Sequence, residues 1–193
     1  MPGELMAGAN KRGDRAAADF YPTPTPGTVI RSLFTVWRPR DPIIWEPACG
    51  NGALSTVLDD EGYAVLSSDL NDYGYGTDKV DFFKVRVPPA LGIVTNPPWN
   101  LARKWVEHAH SIGIEQMALL LPTGFFTSLA GVACFDHWRP RYVLPLTWRL
   151  DFQSKGSPVM TSQWVVWDKH EALIPTEYKL LRKAKGYDRN ILP

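Results

Sequence analysis

The segment Asn96-Pro97-Pro98-Trp99 places two hydrogen-bond acceptors, two positions of locked φ and one aromatic face within four residues. The side-chain oxygen of Asn96 and the backbone carbonyl of Pro97 can both accept from an NH2 group. Consecutive prolines hold that carbonyl still and offer no competing N–H donor. An exocyclic or amide nitrogen is a poor nucleophile because its lone pair is delocalised. Two acceptors gripping its hydrogens favour a pyramidal nitrogen with the lone pair aimed at an electrophile. Trp99 supplies a face on which a planar base can stack, worth about 1 to 3 kcal/mol by analogy with single-strand binding. This chemistry requires no metal and no covalent enzyme intermediate.

Two other features point to a nucleotide-like cofactor. Glu46-Pro47-Ala48-Cys49-Gly50-Asn51-Gly52 reads as a strand-to-helix turn whose glycines let the backbone approach a ligand closely. Asp69, about twenty residues on, falls at the end of the next strand, where an acid can accept both hydroxyls of a ribose. The turn is shorter than a full GxGxxG fingerprint, and a strand-end aspartate is commonly only a cap. Their occurrence on consecutive units, with Asn96-Pro97-Pro98-Trp99 on a later strand, is what gives them weight.

The elements that must position these residues alternate. Ile43–Glu46 is a short apolar run, Ala53–Asp60 has helical spacing, and Tyr63–Leu66 is a second buried strand, making one βαβ unit. Gly92–Thr95 reads as a strand, Leu101–Ile112 as a helix, Met117–Leu121 as a strand and Phe125–Trp138 as a helix. The strands Arg141–Leu144 and Gln163–Trp167 have an irregular connection, which predicts an antiparallel hairpin closing one sheet edge. The expected architecture is α/β, a mostly parallel sheet with a C-terminal antiparallel hairpin and helices on both faces. Ligands on such a sheet bind at the carboxyl ends of the strands, beside the switch point.

Three segments are expected. Residues 1–18 are Gly/Ala/charge-rich and read as a flexible lead-in, residues 19–170 as the catalytic domain, and residues 171–193 as a basic tail or helix carrying Lys179, Arg182, Lys183, Lys185 and Arg189. With 193 residues, 45% of them hydrophobic, the chain can bury one substantial core. A net charge of +1 gives no bulk sign of a nucleic-acid binder, so any basic face is local. Candidates are Arg103-Lys104 after the catalytic segment and Arg139, Arg141 and Arg149 around the hairpin. No apolar run approaches the roughly twenty residues of a membrane helix, and the two distant cysteines, Cys49 and Cys134, fit a reduced interior. A cytoplasmic protein without membrane contact is expected. His108, His110, His137 and His170 match no metal spacing.

These motifs resemble the amino-methyltransferase group of class I methyltransferases, and most of all small phage-type DNA adenine-N6 methyltransferases, over roughly Asp19 to Trp167. The resemblance implies a Rossmann-like fold with a mostly parallel seven-stranded sheet, and S-adenosylmethionine as cofactor. It implies that the segment with Tyr21, Thr23 and Pro24 helps hold the methionine end. Glu46, Pro47, Ala48, Cys49, Gly50 and Gly52 correspond to the cofactor loop, with Glu46 where Asp is usual. Asp69, with Leu70 beside it, matches the ribose-binding acid, Asp81-Phe82 resembles the pair that meets the cofactor adenine, and Asn96, Pro97, Pro98 and Trp99 match the catalytic motif. Asn96 also adjoins the cofactor. Leu91-Gly92 stands where an acid usually precedes the strand, and no long target-recognition domain is present.

The implied reaction is methylation of adenine N6 in DNA, the target base being flipped from the duplex. RNA bases and protein glutamine are alternative acceptors, since the motif serves those amines and amides equally well. A weakly catalytic nucleic-acid-binding subunit is the alternative outside enzymes. The segment Arg149–Ser162 is expected to line the base pocket. Sequence leaves monomer and homodimer equally open.

Overall fold

In a computed structural model, which describes residues 22–152, 156 and 160–184, four helices flank seven strands. Helix α1 (Pro26–Phe34) starts on Pro26, whose missing N–H costs nothing at a helix start, and turns Val29, Ile30 and Leu33 inward. The chain then runs through β1 (Ile43–Glu46), α2 (Ala53–Asp60), β2 (Ala64–Ser67), β3 (Gly92–Thr95), α3 (Ala102–Ser111), β4 (Gln116–Pro122), α4 (Leu129–His137), β5 (Tyr142–Pro145), β6 (Ser162–Asp168) and β7 (Glu177–Tyr178). The order across the sheet is β2-β1-β3-β4-β6-β5-β7. The pairs β1·β2, β1·β3, β3·β4 and β5·β7 are parallel, while β6 is antiparallel to both β4 and β5.

Period-2 alternation divides the core between the two faces of this sheet. Ile44, Val94, Leu120, Leu144, Trp164 and Val166 point to the side covered by α1 and α2. Trp45, Ile93, Leu119, Leu121, Val165 and Trp167 point to the opposite side, under Trp105, Val106 and Ala109 of α3 and Cys134 of α4. The central strands therefore read as unbroken apolar runs, because both of their faces are dry. Fully burying each such side chain contributes about 1.5 to 3 kcal/mol. Truncating Trp164, which is 0% exposed and spans from β6 to the Val29 carbonyl, is the single change most damaging to the first layer.

From β1 the chain winds to β2 on one side, then returns to β3 on the other. That reversal puts the switch point of the sheet at the carboxyl ends of β1 and β3, from which the Glu46–Gly52 and Asn96–Trp99 segments emerge.

Four expectations change. Strand β2, read as buried, lies at one edge of the sheet with Ala64 and Leu66 exposed. The β5/β6 pair is antiparallel as expected, yet it does not close the edge. Strand β6 is inserted between β4 and β5, because its seven residues bury both faces and pair along their length with β4. The edge belongs to β7, inside the segment read as a tail or helix. Its extension through Leu181 donates backbone N–H groups to Val143 and Pro145 and buries Leu181, so residues 179–184 are not helical. Helix α4 begins only at Leu129, where Ser128 caps the Gly131 N–H at 3.1 Å. Lys185 and Arg189 lie outside the described residues.

Candidate functional site

The cofactor-type loop is set by β1 and β2 together. Cys49 N–H donates to Ser68 O at 3.0 Å and Ser68 N–H to Glu46 O at 3.0 Å, tying the turn to the strand beside it. Gly50 (φ 52°) and Gly52 (φ 80°) adopt the left-handed region, where a side chain would be strained. Gly50 N–H then donates to Asp69 Oδ2 at 3.0 Å, while Asn71 N–H donates to Asp69 Oδ1 at 2.9 Å. Each carboxylate oxygen keeps a further lone pair, and these two bonds orient Asp69 beside the loop.

Beyond Asp69 lies a depression of about 460 Å³ lined by Leu70, Lys79, Val80, Asp81, Lys84 and Val85. Leu70 is 58% exposed on its wall. Asp81 caps the following turn through Phe83 N–H at 3.0 Å and lies 3.5 Å from the Lys84 ammonium. Phe82 is elsewhere. It stacks on Trp105 with ring centres 4.0 Å apart and packs against Trp45 and His108, so its face is spent in the core; Asp81 is the member of that pair at the depression.

Glu46 is turned down beneath the loop. Its carboxylate accepts from the Ser55 hydroxyl on α2, and Ser55 in turn lies 2.6 Å from the Ser67 hydroxyl on β2. At 2% exposure, burial dominates its chemistry and pushes its pKa up to about 8 from an ordinary 4.5. Burial first, then the neighbouring Glu46 and Asp69, pushes the Cys49 thiol up to about 12, which removes it as a nucleophile. Pro47 is buried and Ala48 packs on the layer beneath α3.

At the end of β3 the catalytic-type segment makes a tight return. Pro97 is buried and Pro98 exposed, and Pro98 O accepts the Leu101 N–H at 3.0 Å, closing a single 3₁₀ turn that carries Trp99. The Trp99 indole N–H faces both Asn96 Oδ1 at 3.2 Å and Leu120 O of β4 at 2.9 Å. Asn96 Nδ2 donates to Thr23 Oγ1 at 3.2 Å. Thr23 is buried although it stands on the proline-rich strap that precedes α1. Phe152 meets Trp99 edge to face at 5.3 Å, from within the segment expected to line a base pocket.

The fold thus brings together Thr23, Asn96 and Trp99, and separately Gly50, Gly52 and Asp69. Gly50 and Gly52 follow β1, Asp69 follows β2 and Asn96 follows β3, so these segments leave the carboxyl ends of three adjacent strands, each about 4.8 Å from the next. Pro24 is half-buried at the start of the strap, and Tyr21 lies outside the described residues. Tyr75 and Phe152 carry no motif and were missed. The Tyr75 ring lies flat on Gly52, since a Cβ there would come within 2.6 Å of three ring atoms. The Gly74-Tyr75-Gly76 triplet, with both glycines at positive φ, was the available signal.

The expected basic cluster is split. Arg141 is 7% exposed and paired with Glu171 at 2.6 Å and Glu177 at 2.5 Å, at the amino end of β5, opposite to Asn96; Arg139 lies at that same end. Buried pairing makes Arg141 a structural residue. Arg103 and Lys104 are on the first turn of α3, on the site side, with Arg103 donating to Ser128 Oγ at 2.9 Å. Among the described residues, no helix is long and apolar enough to cross a membrane.

No protein-family model matches the chain, and no curated protein matches it. Solved structures do. A type I restriction-modification methyltransferase subunit from Streptococcus thermophilus aligns with TM-score 0.57 and 13% identity over 76% of this chain and 44% of its own. A Vibrio vulnificus protein assigned as a modification subunit of a type I restriction enzyme gives 0.57 and 14%, over 89% and 49%. A Listeria monocytogenes protein assigned to the class I S-adenosylmethionine-dependent methyltransferases gives 0.56 and 12%, over 84% and 66%. The chain therefore has the Rossmann-like fold of class I methyltransferases and spans about half to two thirds of the length of these neighbours.

Proposed function

We propose that this chain is an S-adenosylmethionine-dependent methyltransferase acting on the exocyclic N6 of adenine in DNA. The observation that carries the reading is the Asn96 amide, fixed at the end of β3 beside β1, whose loop carries Gly50 bonded to Asp69. Restriction-modification methyltransferase subunits among the proteins sharing the fold favour DNA as the polymer.

The residues present suit the cofactor. Gly50 presents backbone without a Cβ, the face of Gly52 is covered by the Tyr75 ring, Asp69 has lone pairs for the ribose hydroxyls, and Leu70 and Asp81 line the adjoining depression for the adenine. Thr23 stands where the strap meets the catalytic segment, toward the methionine end. Bound there, the cofactor would supply an electrophilic methyl group on a sulfonium.

The chain's own residues do the rest. A target adenine flipped from the duplex stacks on the face of Trp99, with Phe152 standing perpendicular to that ring. Asn96 Oδ1 and the Pro97 carbonyl accept the two N6 hydrogens, directing the nitrogen lone pair out of the ring plane. The positive charge arriving on N6 with the methyl group would be stabilised by those two acceptors until one proton passes to water. Arg103 and Lys104, on the first turn of α3, would meet the phosphate backbone.

The test is transfer of a tritiated methyl group to unmethylated duplex DNA, RNA and protein extract, followed by digestion of the labelled product. Label in N6-methyladenine from DNA, absent with Asn96→Ala, is the expected result. Label only in RNA or in glutamine assigns the acceptor elsewhere, and no transfer in spite of cofactor binding overturns the reading in favour of a subunit that needs or serves a partner.

A further inference from the structure

A side-chain amide is nearly symmetric in shape and opposite in function at its two ends. With its oxygen toward an incoming amino group, Asn96 accepts; rotated by half a turn, it presents its own NH2 and repels the same hydrogens. A catalytic asparagine must therefore be held one way round, and the surroundings of Asn96 do this.

The indole Nε1–H of Trp99 is a donor only, so the atom 3.2 Å from it is the amide oxygen on chemical grounds. Rotation would set NH2 against N–H, two donors without an acceptor. That one hydrogen is shared with the Leu120 carbonyl at 2.9 Å, which ties the ring to β4, a central strand buried from Gln116 through Leu121. Pro97 and Pro98 fix the intervening backbone, so the distance from Asn96 to the indole is set by rigid parts at both ends. On the other flank, Thr23 Oγ1 takes a hydrogen from Nδ2 at 3.2 Å. Thr23 could satisfy either orientation, because a hydroxyl donates as well as accepts. Its effect is on charge: an amide that donates through nitrogen carries more negative charge on oxygen, which strengthens the acceptor. One lone pair of Oδ1 faces Trp99 and the other is left for the substrate.

We infer that Trp99 and Thr23 are positioning residues for Asn96, Trp99 selecting the orientation of its amide through the indole N–H and Thr23 strengthening its oxygen from the strap. This rests on the proposed amino-methyl transfer and adds to it: Trp99 acts through its ring nitrogen as well as its ring face, and the strap reaches the methyl acceptor side of the site.

The discriminating variant is Trp99→Phe, which keeps an aromatic face and removes the N–H. At saturating substrate its kcat falls about 10- to 100-fold, with the cofactor Kd unchanged within about two-fold. Thr23→Val lowers kcat by about 5- to 10-fold, and Thr23→Ser restores it to within about two-fold of wild type. A residue that only shapes the pocket would change KM or the unfolding midpoint and would show no difference between Val and Ser. If wild type transfers methyl groups and Asn96→Ala does not, yet Trp99→Phe keeps full kcat, the clamp is wrong and the functional proposal stands. If wild type acts on no polymer, the proposed function falls and ¹⁵N NMR still judges the clamp. The Trp99 indole N–H resonance must move in Asn96→Ala, and the Asn96 side-chain NH2 pair must move in Thr23→Val; unmoved resonances refute it.

Discussion

Replacing Glu46 by glutamine tests whether burial or ligand contact governs the cofactor loop. Glu46 is 2% exposed and shares its hydrogen bonding with Ser55 and, through it, Ser67, so its ionised form is poorly solvated and its pKa rises from 4.5 to about 8. In the unfolded chain it ionises normally. Between pH 4.5 and about 8 the folded state therefore holds a proton that the unfolded state has released, and stability falls as pH rises through this window. At about 1.4 kcal/mol for each pH unit, the loss reaches about 3 kcal/mol at pH 7 and about 5 kcal/mol once the folded-state group has ionised. The amide introduced by Glu46→Gln has the volume of the neutral acid, offers Ser55 an acceptor and does not titrate. Urea unfolding monitored by tryptophan fluorescence, at pH values from 5 to 9, should show wild type and variant nearly equal at pH 5 and the variant more stable by several kcal/mol at pH 9. A difference between the two proteins that stays constant across this range would show that Glu46 is ionised throughout, and the burial argument would fail.

Asp69→Ala removes the carboxylate oriented by Gly50 and Asn71, and should weaken cofactor binding at least about 30-fold by isothermal titration, with secondary structure intact by circular dichroism. Arg103→Ala and Lys104→Ala should each reduce the slope of log K against log salt for DNA by about 1, equally for all sequences; an unchanged slope assigns those side chains to solvent. Arg141→Ala should lower the unfolding midpoint by about 5 °C while leaving methyl transfer per folded molecule unchanged, because its partners Glu171 and Glu177 lie at the far end of the sheet. Cys49 should react with iodoacetamide at neutral pH only on unfolding, since its thiol pKa is pushed up to about 12.

Much of the loop geometry at the proposed cofactor side was legible in the sequence because its logic is local. A turn that needs two glycines, an acid at the end of the following strand and a proline pair after another strand are each decided by backbone conformation over a few residues, and the α/β alternation places all three at one end of the sheet. What periodicity does not carry is which strand pairs with which. The insertion of β6 between β4 and β5, and the addition of β7 at the edge, are settled by hydrogen-bonding edges and buried faces that meet only after the chain has collapsed. The same reason governs single residues. Phe82 reads like an adenine contact until Trp105 stacks on it, and Arg141 reads like a phosphate ligand until Glu171 and Glu177 arrive from 30 and 36 residues away. Thr23 and Asn96 are separated by 73 residues, so no spacing in the chain announces their hydrogen bond. The identity of the reactive groups was written locally; which way Asn96 faces, which carboxylate holds its proton and which arginine is spent on structure depend on desolvation and distance, and these exist only in the folded protein.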